Sequence, residues 1–167
     1  MGRQEALPPG HSAAEQVALT VPDCIFCRIV AGEAAAHIVL DDDVAVAFLD
    51  VRPVFAGHVL LVPREHHETL TDLPQELVGP LFARTRQLAA AVPDAMGATG
   101  TFVAINNKVS QSVPHLHVHV VPRRPKDGLR GFFWPRVRYE GGEAEMATTA
   151  AAIREALARV TAQGRRT

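Results

Sequence analysis

Apolar and polar positions along this chain follow two periods, one of about two residues and one of about 3.6, and they divide it into short strand-like runs and helical stretches. Residues 24–30 read as a short helix opened after Pro22-Asp23 and ended by Gly32. Residues 37–40 and 44–48 are β-type runs joined by the acidic turn Asp41-Asp42-Asp43, and residues 58–62 form a third strand stopped by Pro63. A second helix starts around Asp72-Leu73-Pro74 and continues through Leu77, Leu81, Phe82, Leu88 and Val92. Pro80 is expected either to kink it or to delay its start. Residues 101–105 and 115–121 are the fourth and fifth strands, and residues 143–160 form an alanine-rich helix with Ile153, Leu157 and Val160 on one stripe.

The order of helix, three strands, helix, two strands and helix, with short connections and no internal repeat, predicts an α+β domain built on an antiparallel meander of about five strands. Residues 1–20, with Pro8, Pro9 and Gly10, read as a flexible tail. Residues 21–124 hold the strands, and residues 125–167 hold an aromatic loop and the last helix, packed on that core. The loop is Gly128-Leu129-Arg130-Gly131-Phe132-Phe133-Trp134-Pro135. An aromatic cluster of this kind marks either a binding surface or packing under the last helix.

The fifth strand carries the chemistry. In His115-Leu116-His117-Val118-His119-Val120-Val121 three histidines alternate with apolar residues. On a strand their rings stand on one face while Leu116, Val118 and Val120 bury on the other. Imidazoles so arranged can bind metal or phosphate, transfer protons or attack an electrophile. One ion cannot take all three, because the Cα atoms of His115 and His119 are about 13 Å apart on an extended strand. The row is therefore expected to divide its duties.

Composition narrows the classes. The chain of 167 residues has a formal net charge of -1 and 47% hydrophobic residues, which gives no basic footprint for nucleic acid. No apolar stretch is long enough to span a bilayer, and the N-terminus lacks the apolar core of a signal peptide, so the protein is expected to be cytoplasmic. In a reducing compartment the pair Cys24 and Cys27 is a metal half-site or a redox dithiol. The two cysteines lie one helical turn apart, and either His66 or His67 together with His115 would complete a tetrahedral set.

Four segments then carry a resemblance: Cys24-Ile25-Phe26-Cys27-Arg28-Ile29-Val30, Ala47-Phe48-Leu49-Asp50-Val51, Gly57-His58-Val59-Leu60-Leu61-Val62-Pro63, and Gln111-Ser112-Val113-Pro114-His115 through Pro122. Together, over roughly residues 22–124, they resemble the histidine triad (HIT) family, and in particular its zinc-containing bacterial branch. The resemblance implies a structural zinc on Cys24, Cys27, His66 and His115. It implies that His117 attacks the α-phosphorus of a nucleotide, giving a nucleotidyl-histidine that water hydrolyses, with His119 and Ser112 assisting. It places Ile25, Phe26, Ile29 and Phe48 around a purine base, Asp50 on the ribose hydroxyls, and Asn106 and Gln111 on phosphate or ribose. The expected partners are a purine nucleotide such as AMP or a derivative and a second copy of the chain. Trp134 is expected near the leaving group.

Each of these residues also has a plainer reading. The four apolar residues would be core in almost any fold, Asp50 could cap a turn, Ser112 could be a turn hydroxyl, and His58 is read as a satisfied structural histidine. Ser110 stands where the family usually has glycine, in a shortened loop where Lys108 is expected to supply charge. A non-catalytic, zinc-stabilised nucleotide-binding or scaffold protein is the rival function. The intact set His117, His119 and Ser112 argues against it, because binding alone needs no nucleophile.

Overall fold

A computed structural model describes residues 24–129 and 137–164 of the chain. Five antiparallel strands form one sheet: β1 (Ile38–Asp41), β2 (Ala45–Leu49), β3 (Val59–Pro63), β4 (Gly100–Ile105) and β5 (Val118–Arg123). Their order is β1-β2-β3-β5-β4, so the chain passes over the position of β5 to lay down β4, and β5 then fills the gap. Among the described residues three α-helices accompany the sheet, α1 (Ile25–Val30), α2 (Gln75–Met96) and α3 (Gly142–Gly164), with a 3-10 turn at Leu70–Asp72. The α+β antiparallel architecture is the one the periodicity predicts.

Residues of opposite parity on the central strands bury on opposite faces. Ala45, Ala47, Leu49, Val59, Leu61, Val118 and Val120, with Leu116 just before β5, pack against Leu81, Leu88 and Val92 of α2 and Ala150 and Ile153 of α3. Burying each large side chain of this set contributes about 1.5–3 kcal/mol. On the other face Val46, Phe48, Leu60 and Val62 meet Cys24 and Phe26 of the α1 segment. This second, smaller layer is what places the α1 cysteines beside the sheet.

Helix α2 begins directly after Pro74 and runs through Pro80 without a delayed start. Pro80 lies inside the helix and forfeits the N–H bond that another residue there would make to the Glu76 carbonyl. The helix ends at Gly97, whose φ of +56° is left-handed, with the Ala98 N–H returning to the Pro93 carbonyl at 2.9 Å. Gly57 is also required: at φ +88° a Cβ there would lie 2.6 Å from Met96 Cγ.

One boundary differs from expectation in a way that matters. The triad row was expected to lie wholly on the fifth strand from residue 115, but pairing starts only at Val118. Before it the chain bends, with the His115 N–H donating to the Val113 carbonyl at 2.8 Å and the Leu116 N–H to the His67 carbonyl at 2.6 Å. The bend turns His115 away from the row.

Candidate active site and metal centre

The bend brings His115 to the α1 cysteines. Its Nδ1 lies 3.5 Å from both Cys24 Sγ and Cys27 Sγ, and His66 Nδ1 lies 3.2 Å from Cys27 Sγ. The four ligand atoms all fall within 4.8 Å of one another. Tetrahedral zinc with bonds of about 2.0–2.3 Å separates its ligands by about 3.3–3.8 Å, so the set fits such an ion with little adjustment. The other nitrogen of His115 supports this, since Nε2 lies 3.2 Å from the Pro63 carbonyl and donates its proton there. That bond leaves the Nδ1 lone pair for a metal. Burial, with a smaller effect of the neighbouring histidines, lowers the His115 pKa to about 4, which keeps the ring neutral. Burial and the adjacent Cys24 raise the Cys27 thiol to about 11, and a bound cation would reverse that preference. Of the two adjacent histidines only His66 joins the cluster. His67 Nε2 lies 3.7 Å from Glu65 Oε2, and the His67 carbonyl holds the Leu116 N–H.

Beside this cluster a cavity of about 370 Å³ opens on the same face of the sheet, within the range of about 300–1,000 Å³ of small-molecule sites. Ile25, Phe26, Ile29 and Phe48 line it together with Asp50, Ser112, His117 and His119. Phe26 stands between the two features: its ring centroid is 5.3 Å from those of Phe48 and His117 and 6.0 Å from that of His115. Thus eight of the residues expected to contact nucleotide or act in catalysis are brought together.

The tautomer of His117 follows from its neighbour. Its Nδ1 lies 2.7 Å from the His115 carbonyl, which can only accept, so Nδ1 carries the proton and Nε2 the lone pair. Burial lowers the His117 pKa and favours this neutral form. His119 is 4.8 Å from His117, ring to ring, and its Nδ1 meets His58 Nε2 at 3.0 Å. The Val54 N–H points at His58 Nδ1 from 3.2 Å. If it donates there, His58 holds its proton on Nε2 and gives it to His119 Nδ1, which places the His119 proton on Nε2.

His58, read from the sequence as a satisfied structural histidine, is 1% exposed and has both ring nitrogens engaged. Strand parity offered a signal: His58 shares the face of Leu60, and Leu60 is paired with His119. Two of the expected nucleotide contacts, Gln111 and Asn106, are not among the residues that line the cavity. Gln111 does not line the cavity, because both ends of its amide fasten the loop; Nε2 donates to the Glu68 carbonyl and Oε1 accepts the Lys108 N–H, each at 2.6 Å. Asn106, at the end of β4, likewise stands outside the lining. Lys108 contributes its charge to Asp72, whose carboxyl is held low chiefly by hydrogen bonds from Thr69. Trp134 and residues 1–20 lie outside the described residues.

An antiparallel sheet covered on both faces, with paired imidazoles over an apolar cavity and a Cys2His2 cluster beside it, defines a small-ligand site of divided duties. Comparison with known proteins gives it a family. The HIT domain matches residues 31–126, and the chain belongs to the HIT family. It is 40% identical over 108 residues to an uncharacterized HIT-like protein of Mycobacterium tuberculosis, covering 64% of this chain and 75% of that one. It is 31% identical to adenosine 5'-monophosphoramidase HNT1 of Saccharomyces cerevisiae, over 67% of this chain and 70% of the yeast protein. Against adenylylsulfatase HINT3 of Arabidopsis thaliana, also 31% identical, the match spans 64% of this chain but 55% of the plant protein. Among solved structures, a Zn-bound histidine triad family protein from Mycobacterium smegmatis superposes with a TM-score of 0.74 at 35% identity, covering 84% of this chain and 97% of that one. Among the described residues no helix is long and apolar enough to cross a membrane.

Proposed function

We propose that this protein is a nucleotide hydrolase or nucleotidyl transferase acting at the α-phosphorus of nucleoside monophosphate derivatives. Phosphoramidates and dinucleoside polyphosphates, with AMP as the nucleotide, are its substrate class. The observation that carries this reading is the bond from His117 Nδ1 to the His115 carbonyl, on a ring that lines the cavity. It reserves the Nε2 lone pair for attack, and a neutral imidazole is a competent nucleophile near neutral pH.

In the first step Nε2 of His117 forms a P–N bond while the bond from phosphorus to the leaving group breaks. The His119 proton on Nε2 passes to the departing atom, and the Ser112 hydroxyl lies on the same side to donate a hydrogen bond. Water then attacks phosphorus and gives a proton to His119 Nε2 as the P–N bond breaks, so the nucleotide is released and His117 and His119 are both restored. Ile25, Phe26, Ile29 and Phe48 sandwich the base, and Asp50 receives the sugar hydroxyls. A zinc ion on Cys24, Cys27, His66 and His115 would be structural, cross-linking α1 to the segments before and after the active strands. The assembly we infer is a cytoplasmic homodimer, consistent with β4 standing at the end of the sheet with Val103 exposed. We infer that residues 21–124 form the core domain, on which α3 packs through Ala150 and Ile153.

The yeast relative is named a monophosphoramidase and the plant relative an adenylylsulfatase; both names concern an adenylyl group bearing different leaving groups, which supports the same phosphorus as the reacting atom. Purified protein incubated with adenosine 5'-phosphoramidate should release AMP, and His117→Ala should lower kcat by about a thousandfold or more while AMP still binds. Undiminished turnover by His117→Ala, or AMP binding with no turnover of any adenylyl derivative, would contradict the reading. The second of these outcomes is the signature of a binding protein.

A further inference from the structure

The carboxylate assigned to the sugar also faces the histidine that supports His119. Asp50 Oδ1 accepts the Arg52 N–H at 2.8 Å, which fixes the side chain, and Oδ2 lies 3.4 Å from His58 Nδ1. His58 is 1% exposed and meets His119 through its other nitrogen at 3.0 Å. Two neighbours thus pull on His58 Nδ1 in opposite senses: the Val54 N–H, at 3.2 Å, favours a lone pair there, and the Asp50 carboxylate favours a proton.

We propose that Asp50 is a positioning residue for His119, acting through His58: its carboxylate lets the His58–His119 pair hold a third ring proton and so keeps His119 a proton donor at neutral pH. The inference rests on the reading of His119 as the imidazole on the phosphate side. In the charged state Asp50 is ionised, His58 is protonated on both nitrogens, and His119 carries its proton on Nε2. When His119 gives that proton to the leaving group, His58 passes its Nε2 proton to His119 Nδ1. His58 is then neutral, with its remaining proton on Nδ1 beside the Asp50 carboxylate, and the trio has lost one proton and gained one negative charge. A sugar hydroxyl donating to Asp50 weakens its hold on His58, so occupancy of the sugar site is linked to the proton on the phosphate side.

The other titratable or charged groups around the trio are His117, 4.8 Å from His119; Tyr139, whose hydroxyl accepts the Gly57 N–H at 3.1 Å; and Arg52, which lines the cavity. The buried Tyr139 hydroxyl has its pKa raised by burial, so it stays neutral through the relevant range. Asp50→Asn is the informative change, because an amide oxygen still accepts the Arg52 N–H while the charge is lost.

Two measurements test the proposal on the full chain. The first is imidazole NMR titration of ligand-free protein, verified as folded by its melting curve. Asp50→Asn should lower the midpoint of the His58–His119 pair by about one pH unit, since an opposite charge at this range favours the protonated form. The second uses 2',3'-dideoxyadenosine 5'-phosphoramidate, which has no sugar hydroxyl for Asp50 to receive. Asp50→Asn should still reduce kcat on it, and the basic limb of its pH profile should move to lower pH. An unchanged midpoint, or an Asp50→Asn enzyme equal to the original on the dideoxy substrate, would reduce Asp50 to a sugar contact and overturn the proposal. If no phosphoramidate is turned over at all, the hydrolase reading fails, and the ligand-free titration still decides whether Asp50 controls the pair.

Discussion

The carbonyl of His115 accepts the Nδ1–H of His117 at 2.7 Å while the ring of His115 faces the two cysteines. One residue therefore serves the metal cluster with its side chain and the cavity with its main chain. Anything that fixes the His115 ring also fixes the carbonyl that selects the His117 tautomer.

Metal removal should consequently act on both stability and chemistry. At zinc concentrations about a thousand times its Kd, linkage to folding is worth about 4 kcal/mol, or about 8–16 °C in Tm for a chain of this size. Chelated protein, or Cys24→Ala, should melt lower by an amount of this order and show a broadened His117 imidazole signal. Metal analysis should find zinc in the purified chain. A metal-free protein with unchanged Tm would remove zinc from the account.

The acidic turn between β1 and β2 makes a pH prediction. Burial alone would raise the Asp42 carboxyl, but the N–H groups of Val44 and Ala45, at 2.9 and 3.0 Å, and the Arg84 guanidinium outweigh it and hold it below the usual range. A carboxylate with a lowered folded pKa stabilises fully above its unfolded value, about 3.9, and loses that contribution as pH falls through the folded value. Asp42→Ala should cost about 1–3 kcal/mol near neutral pH, and urea melts should show the gap narrowing in acid. A gap that widens in acid would contradict the assignment.

Ser110 occupies the left-handed region at φ +60°, as does Lys108 at φ +64°. Left-handed backbone costs a non-glycine residue about 1–2 kcal/mol, and the greater freedom of an unfolded glycine returns part of that. Ser110→Gly should stabilise the protein by up to about 1 kcal/mol, whereas the β-branched Ser110→Val should destabilise it by at least as much. Thermal melts of the two variants giving the reverse order would show that the loop is not strained there.

The sheet was legible because its signal is local. Period-two runs of valine and leucine bounded by Asp41-Asp42-Asp43, Gly57 and Pro63 have few other ways to bury both faces. The metal set was half legible: Cys24 and Cys27 are a turn apart, but choosing His66 over His67 from geometry requires the path of the chain after β3. The bend at His115 was invisible for a related reason. An alternating His-x-His-x-His row reads as continuous strand, and only the tertiary bond from Leu116 to the His67 carbonyl breaks it. The loop-fastening bonds of Gln111 were not legible, because a polar side chain there looks the same in sequence whether it faces a ligand or ties down the loop. His58 shows the converse: its parity pointed to the cavity face, but its partner His119 lies 61 positions away.

The central claim is a covalent nucleotide on one nitrogen of one histidine. Protein mixed with adenosine 5'-phosphoramidate and quenched within a turnover should carry an adenylyl group, and peptide mass spectrometry should place it on His117. The adduct should be lost at acid pH, as a P–N bond requires, and be absent from His117→Ala. Complete turnover with no adduct at any quench time, or an adduct that remains when His117 is replaced, would contradict the mechanism.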